Sequence, residues 1–193
     1  MKGDVLKPFA NAIGETEYAE LLGQKGRVVW FYGLSGSGKS TLSDALNRDL
    51  HGRGRYSIIL DGDTIRSTIN QDLGFSDADR AENLRRTAEL ARFLAKRGAI
   101  VIVSFITPFR AVREKIAGIL RDVPHELVFV KAGIETCKKR DPKGIYQAYN
   151  EGKIKSLTGV DASFEIGPHD CELDTENLTI DETLRDLVRK IRI

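Results

Sequence analysis

Nine residues, Gly33-Leu34-Ser35-Gly36-Ser37-Gly38-Lys39-Ser40-Thr41, have the G-x-x-x-x-G-K-S spacing of a phosphate cradle. They follow the apolar run Arg27-Val28-Val29-Trp30-Phe31-Tyr32 and precede a helix-like segment opening near Thr41. The glycines at 33, 36 and 38 tolerate positive φ and carry no Cβ, so backbone N–H groups can converge on an anion. The following helix adds its positive dipole end. Lys39 then reaches the β- and γ-phosphates of a nucleoside triphosphate, and the Ser40 hydroxyl is placed to ligate Mg²⁺.

A second constellation lies where the next apolar run ends, in Leu60-Asp61-Gly62-Asp63-Thr64-Ile65-Arg66. One carboxylate could hold Mg²⁺ through water while the other accepts a proton from an attacking hydroxyl. An Asx turn with a helix N-cap is the structural alternative, and it needs only one of the two. Further on, Arg80 and Asn83 share a helix face behind Phe75, which suits an anion pocket but equally a solvated face. Phe105-Ile106-Thr107-Pro108-Phe109-Arg110 ends another strand, its proline opening a helix and Arg110 available to phosphate. Lys138-Lys139-Arg140 lies at a helix end, where cations favour the dipole; the planar Arg140 guanidinium also suits an adenine face. His51 after a helix, and His125 and His169 in turns, lack metal-ligand spacing and read as surface residues.

The elements that must position these groups alternate. Val28–Tyr32, Ser57–Leu60, Ile100–Phe105 and Leu127–Val130 are nearly continuous apolar runs, the pattern of strands buried on both faces of a parallel sheet. Helical spacing appears in Thr41–Leu50 and in Arg80–Arg97, which Ser76 and Asp79 cap, then behind Pro108, and from the capping box Thr179-Ile180-Asp181-Glu182 to about Ile191. The fold class is therefore α/β, a doubly wound and mostly parallel sheet with ligands beyond the carboxyl ends of its strands. Residues 1–24 form a polar extension with one short helix, Glu15 to Leu22, closed by Gly23; residues 25–193 form the domain. The glycine-bearing segment 141–176 has no long apolar run and is expected to be a lid.

Thirty basic and twenty-eight acidic residues among 193 give a net charge of +2, which argues against a general nucleic-acid or membrane-surface binder. Cys137 and Cys171, with no C-x-x-C pattern, are read as reduced thiols of a cytoplasmic protein. The chain begins with no apolar signal segment, and the run from Ala99 to Phe105 is too short to span a bilayer.

Taken together, the phosphate loop, Leu60-Asp61-Gly62-Asp63, Asp72-Leu73-Gly74-Phe75-Ser76, Phe105-Ile106-Thr107-Pro108-Phe109-Arg110, Arg140-Asp141-Pro142-Lys143-Gly144-Ile145-Tyr146, Gly152-Lys153-Ile154-Lys155 and Thr158-Gly159-Val160-Asp161 resemble the adenylylsulfate kinase family from about Gly23 onward. That resemblance implies phosphorylation of the 3′-hydroxyl of adenosine 5′-phosphosulfate (APS) by MgATP. It implies that Gly33 to Thr41 hold the ATP phosphates, that Asp63 is the base and that Asp61 supports the hydrated Mg²⁺. It implies that Arg66, Arg80 and Asn83 grip the phosphosulfate while Phe75 and Phe164 sandwich its adenine, and that Arg140 packs on the ATP adenine. Ile106, Thr107, Lys155 and Leu157 complete the implied substrate set, with Lys155 to Val160 in the lid. A homodimer, and fusion to or association with an ATP sulfurylase, are further implications.

This chain departs from the family pattern at three places. Thr107 replaces a serine sometimes described as a phosphorylated intermediate; in-line transfer needs positioning and charge neutralisation instead, so Thr107 is taken as a positioning residue. Thr64, Ser67 and Thr68 stand for the more usual Asn, His and Gly, and Ser156-Leu157 for Gly-Phe. Two rival readings stay open: a kinase on the same scaffold for another nucleotide, such as a cytidine diphosphate derivative, and a non-catalytic nucleotide-binding regulatory domain.

Overall fold

A computed structural model describes residues 13–193; the polar lead-in before residue 13 lies outside the described residues. Helix α1 (Glu15–Leu22) ends on Gly23 at φ 59°, the left-handed closure that a glycine permits without strain. It is followed by β1 (Arg27–Tyr32), α2 (Lys39–Gly52), β2 (Ser57–Asp61), α3 (Gly62–Ser67), α4 (Asp77–Ala95), β3 (Ile100–Ser104) and α5 (Arg110–Leu120). The chain continues through β4 (His125–Lys131), α6 (Ile134–Arg140), α7 (Ile145–Asn150), β5 (Cys171–Asp174) and α8 (Ile180–Ile191).

The five strands pair in parallel in the order β2-β3-β1-β4-β5. Strand β1 is therefore central, and every strand ends at the same edge. The alternation of side chains along β1 builds two cores. Val28, Trp30 and Tyr32 pack with Leu84, Ala88 and Ala91 of α4 and Ile116 and Leu120 of α5. Val29 and Phe31 pack on the other face with Leu42, Leu46 and Leu50 of α2 and Leu187 and Ile191 of α8. The i, i+4 spacing of the α2 and α8 residues is what makes those faces, and each fully buried leucine contributes about 1.5–3 kcal/mol of burial. The capping box at Thr179 and Glu182 and the Ser76 cap on α4 form as expected.

Several boundaries differ. Helix α5 opens at Arg110, with Phe109 as its N-cap, so Pro108 precedes the helix instead of sitting in its first turn. His51 lies inside α2, and His125 is the first residue of β4. The segment 141–176 is not structure-poor throughout, because it contains α7 and β5. Strand β5 buries only Cys171 and Leu173, with Glu172 and Asp174 half-exposed between them. That is the alternation of a short edge strand, invisible to a search for apolar runs. Both cysteines are buried and free, and burial pushes the Cys171 thiol up to about 11. Among the described residues no helix is long and apolar enough to cross a membrane.

Candidate active site

The carboxyl edge of the sheet opens into a cleft of about 1150 Å³, at or above the upper range of small-ligand pockets and large enough for two nucleotides. The loop after β1 supplies one wall. There the backbone takes φ of 152° at Gly33, 77° at Gly36 and 98° at Gly38. A Cβ on Gly36 would stand 2.7 Å from the Cys137 carbonyl, and one on Gly33 would stand 2.4 Å from that of Val130. Glycine is thus required both by conformation and by the close approach of α6 and β4.

The loop is braced from outside. Tyr146 of α7 donates its hydroxyl to the Ser35 carbonyl at 3.0 Å, and the Thr175 hydroxyl donates to the Ser37 carbonyl at 2.7 Å. Arg140 donates through Nη2 to the Thr175 carbonyl at 2.5 Å and through Nη1 to that of Gly36 at 3.4 Å.

Lys39, only 8% exposed, turns its Nζ back into the loop and donates to the carbonyls of Gly33 at 3.0 Å and Leu34 at 2.6 Å. Among the described residues no carboxylate pairs with it, and burial pulls its ammonium down to about 7. A bound triphosphate restores the charged form. Burial therefore favours the neutral amine in the empty loop, and phosphate binding is expected to take up a proton at alkaline pH. Titration calorimetry with ATP in buffers of different ionisation enthalpy should show more proton taken up by the complex at pH 8 than at pH 6. Equal uptake at both pH values would remove Lys39 as its source.

The opposite wall begins at the end of β2. Asp61 is the N-cap of α3: one of its oxygens, Oδ1, accepts from the N–H groups of Asp63 and Thr64, both at 3.1 Å. Burial opposes its charge, but the hydrogen bonds from Thr64 and Asp63 prevail and hold the carboxyl below its ordinary value. The structural alternative for the acidic pair is therefore realised, and by Asp61 alone. Asp63 has no such duty. Its side chain is 74% exposed and forms an ion pair with Lys143 across the cleft mouth.

Beyond it, Arg66 lies 4.8 Å over the Phe75 ring and donates to the Gly74 carbonyl at 2.8 Å. Arg80 donates to the Phe75 carbonyl at 2.9 Å, and the buried Asn83 accepts from Asn70 at 2.7 Å. These contacts fix the wall that carries Phe75, itself 72% exposed.

The floor is the turn after β3. Thr107 is 1% exposed and sits at φ 45°, a conformation that a β-branched residue seldom adopts. Its hydroxyl accepts from the Trp30 indole N–H at 3.0 Å. Neighbouring Ile106 accepts the Gly33 N–H at 3.2 Å, which ties the floor to the phosphate loop. The roof is Lys153 to Thr158, anchored by Leu157, which is buried with Cys137 and Tyr146.

Ser35, Gly36, Gly38 to Thr41, Asp61, Asp63, Arg66, Phe75, Arg80, Asn83, Ile106, Thr107, Arg140, Lys155 and Leu157 all line this one cleft. Gly33, Leu34, Ser37 and Phe164 do not. Gly33 and Ser37 are buried, Leu34 packs against Cys137, Tyr146 and Leu157, and Phe164 stacks with Tyr32 at 6.4 Å and Phe129 at 6.1 Å in an aromatic cluster. Sequence reasoning gave no role to Lys143, Tyr146, Thr175 or Trp30. Lys143 and Tyr146 stand inside a quoted motif, but nothing local shows that residue 143 meets residue 63. Among the described residues, no group of three or more His, Cys, Asp or Glu side chains is arranged to hold a metal ion.

Residues 25–176 match the family model described as adenylylsulphate kinase. An adenylyl-sulfate kinase of Bacteroides thetaiotaomicron is 43% identical over 191 residues, covering 98% of this chain and 95% of that protein. The bifunctional enzyme NodQ of Azospirillum brasilense is 43% identical over 175 residues, 91% of this chain but 27% of its own length. Among solved structures, the Mycobacterium tuberculosis APS kinase CysC in complex with AMPPNP and APS superposes with a TM-score of 0.84 at 37% identity, covering 88% of this chain and 99% of that one.

Proposed function

The chain belongs to the adenylylsulfate kinase family, and from that premise we propose how its cleft moves a phosphoryl group from ATP to the 3′-hydroxyl of APS. The observation that carries the reading is one cleft in which a glycine cradle with a buried lysine shares its walls with an exposed carboxylate that has no capping duty. The loop N–H groups and the amino end of α2 receive the triphosphate, and Lys39 leaves its two carbonyls for the phosphate oxygens. Asp63 accepts the proton of the attacking hydroxyl, and Lys143 gives up its ion pair as the anionic acceptor enters. Arg66, Arg80 and Asn83, held by their contacts to the Gly74–Phe75 wall and to Asn70, meet the phosphosulfate, with Phe75 against the acceptor's base. Arg140, already at the loop, faces the donor nucleotide.

The donor set suits Mg²⁺, a hard cation that keeps most of its waters and binds chiefly through substrate phosphates. The exposed Ser40 hydroxyl and the remaining Asp61 oxygen are the protein oxygens offered to it. When bound, the ion neutralises charge on the transferred phosphoryl group.

Thr107 serves as a positioning residue. Its hydroxyl accepts from the Trp30 indole N–H on a residue only 1% exposed, which fixes the side chain in the floor of the cleft. In this reading transfer is direct, because positioning and charge neutralisation suffice for in-line displacement. The homodimer implied by the family resemblance and the cytoplasmic location read from the two cysteines belong to the same reading.

A coupled ADP-release assay with MgATP tests the acceptor. APS should support turnover at least 100-fold faster than cytidine nucleotides or other alcohols in a panel, a floor set well below the roughly 10⁴-fold discrimination expected when site polar groups would otherwise be left unpaired. A preference for a cytidine diphosphate derivative, or ATP binding with no transfer to any panel member, would contradict it.

A further inference from the structure

Arg113, the fourth residue of α5, is 2% exposed, and among the described residues it makes no ion pair with a carboxylate. A buried cation without an anion is costly, so its contacts must repay desolvation. Its Nη1 donates to the Thr107 carbonyl at 2.9 Å, and its Nη2 donates to the Glu165 carbonyl at 2.7 Å. The guanidinium lies 4.5 Å over the Tyr32 ring, and among the described residues its Nε has no hydrogen-bond partner. A planar fork that bridges two carbonyls while stacking on a ring is work that lysine cannot copy.

The two carbonyls belong to different parts of the site. Thr107 is the strained floor residue, whose neighbour Ile106 holds the Gly33 N–H. Glu165 is the exit of the segment that roofs the cleft, three residues beyond the Thr158–Ala162 bridge. The same junction is closed by the Glu165 N–H donating to the Pro108 carbonyl at 2.9 Å and by a Glu165 carboxylate oxygen accepting from the Arg110 N–H at 2.6 Å. A strained conformation of this kind persists only where its surroundings over-determine it.

We propose that Arg113 is a positioning residue that locks the floor of the cleft to the exit of its roof, so that the acceptor meets a wall set in register with the phosphate loop. The inference rests on the reading above for which nucleotide is the acceptor. The roof segment, from Lys153 to Thr158, lies over the cleft, and Arg113 holds the chain where it leaves the roof, at Glu165. Loss of the fork therefore lets the acceptor's side shift while the donor loop keeps its own braces, Tyr146 and Thr175.

The test uses the full chain with Arg113→Lys, which keeps the charge and the stem, and Glu165→Ala, which trims an exposed side chain from the same junction. Wild-type turnover with APS, measured alongside, establishes the acceptor independently. For Arg113→Lys, the KM for APS should rise about tenfold or more, since small misplacements of reacting groups are costly. The Kd for ATP, measured by calorimetry without APS, should stay within about twofold. Glu165→Ala should shift KM in the same direction by about threefold, again without loss of ATP affinity. An unchanged APS KM in Glu165→Ala, or in a folded Arg113→Lys, would overturn the proposal, as would a parallel loss of ATP and APS binding with a lowered melting temperature. If Arg113→Lys shows no cooperative melt, Glu165→Ala alone decides.

Discussion

Asp63→Asn is expected to lower kcat by about 10²–10⁴-fold with APS as acceptor, the usual worth of a positioned general base, while leaving the Kd for ATP within about twofold. The substitution keeps size and polarity and removes only the ability to take a proton. Asp63 is 74% exposed on its side chain, and its one ion pair is with Lys143 at the cleft mouth. The cap of α3 is made by Asp61 instead. The fold therefore loses little: an exposed pair is worth about 0–1 kcal/mol, and the melting temperature should barely change. Lys143, relieved of its partner, still faces an anionic acceptor, so the KM for APS should not increase. Steady-state kinetics together with calorimetry separate these quantities. A variant that keeps wild-type kcat would take the base role away from Asp63.

Lys39→Met acts on the other reactant. Loss of the loop cation should cost about 10²–10³-fold in kcat, the scale seen when one preorganised charge-stabilising donor is removed. ATP affinity should fall as well, because the same group meets the ground-state phosphates. The empty enzyme should behave differently. Its Lys39 is buried against two carbonyls with no counter-charge, so a thioether of similar length should leave the melting temperature within a few degrees or raise it. Full catalysis with weaker ATP binding would show that the lysine acts only in the ground state. A collapsed melting transition would show that its two hydrogen bonds hold the loop.

The phosphate loop was legible in the sequence because its chemistry is local. Each glycine, the lysine and the serine are fixed by spacing along nine residues, and the strand before and helix after are continuous apolar or periodic patterns. The acidic pair was half legible. Its position at a strand end followed from the topology, but which carboxylate would be consumed by the helix cap depended on backbone geometry after Gly62. Strand β5 escaped because only two of its four residues are buried, and a short edge strand needs a partner more than a pattern. Lys143 escaped for a different reason. It meets Asp63 across 80 residues of chain, and no periodicity encodes a contact between a turn and the first residues of a distant helix. The same holds for Arg113, which reads as an ordinary charge on a helix until its burial between Thr107 and Glu165 is seen.

The central claim is direct transfer between two ligands that share one cleft, and a quenched single turnover tests it most directly. With γ-labelled ATP, Mg²⁺ and APS, label should pass from ATP to the 3′ position of the nucleotide product in one exponential, with none on the protein at any time. Label that appears first on the protein at Thr107, or that never reaches the nucleotide's 3′ position, would contradict the account.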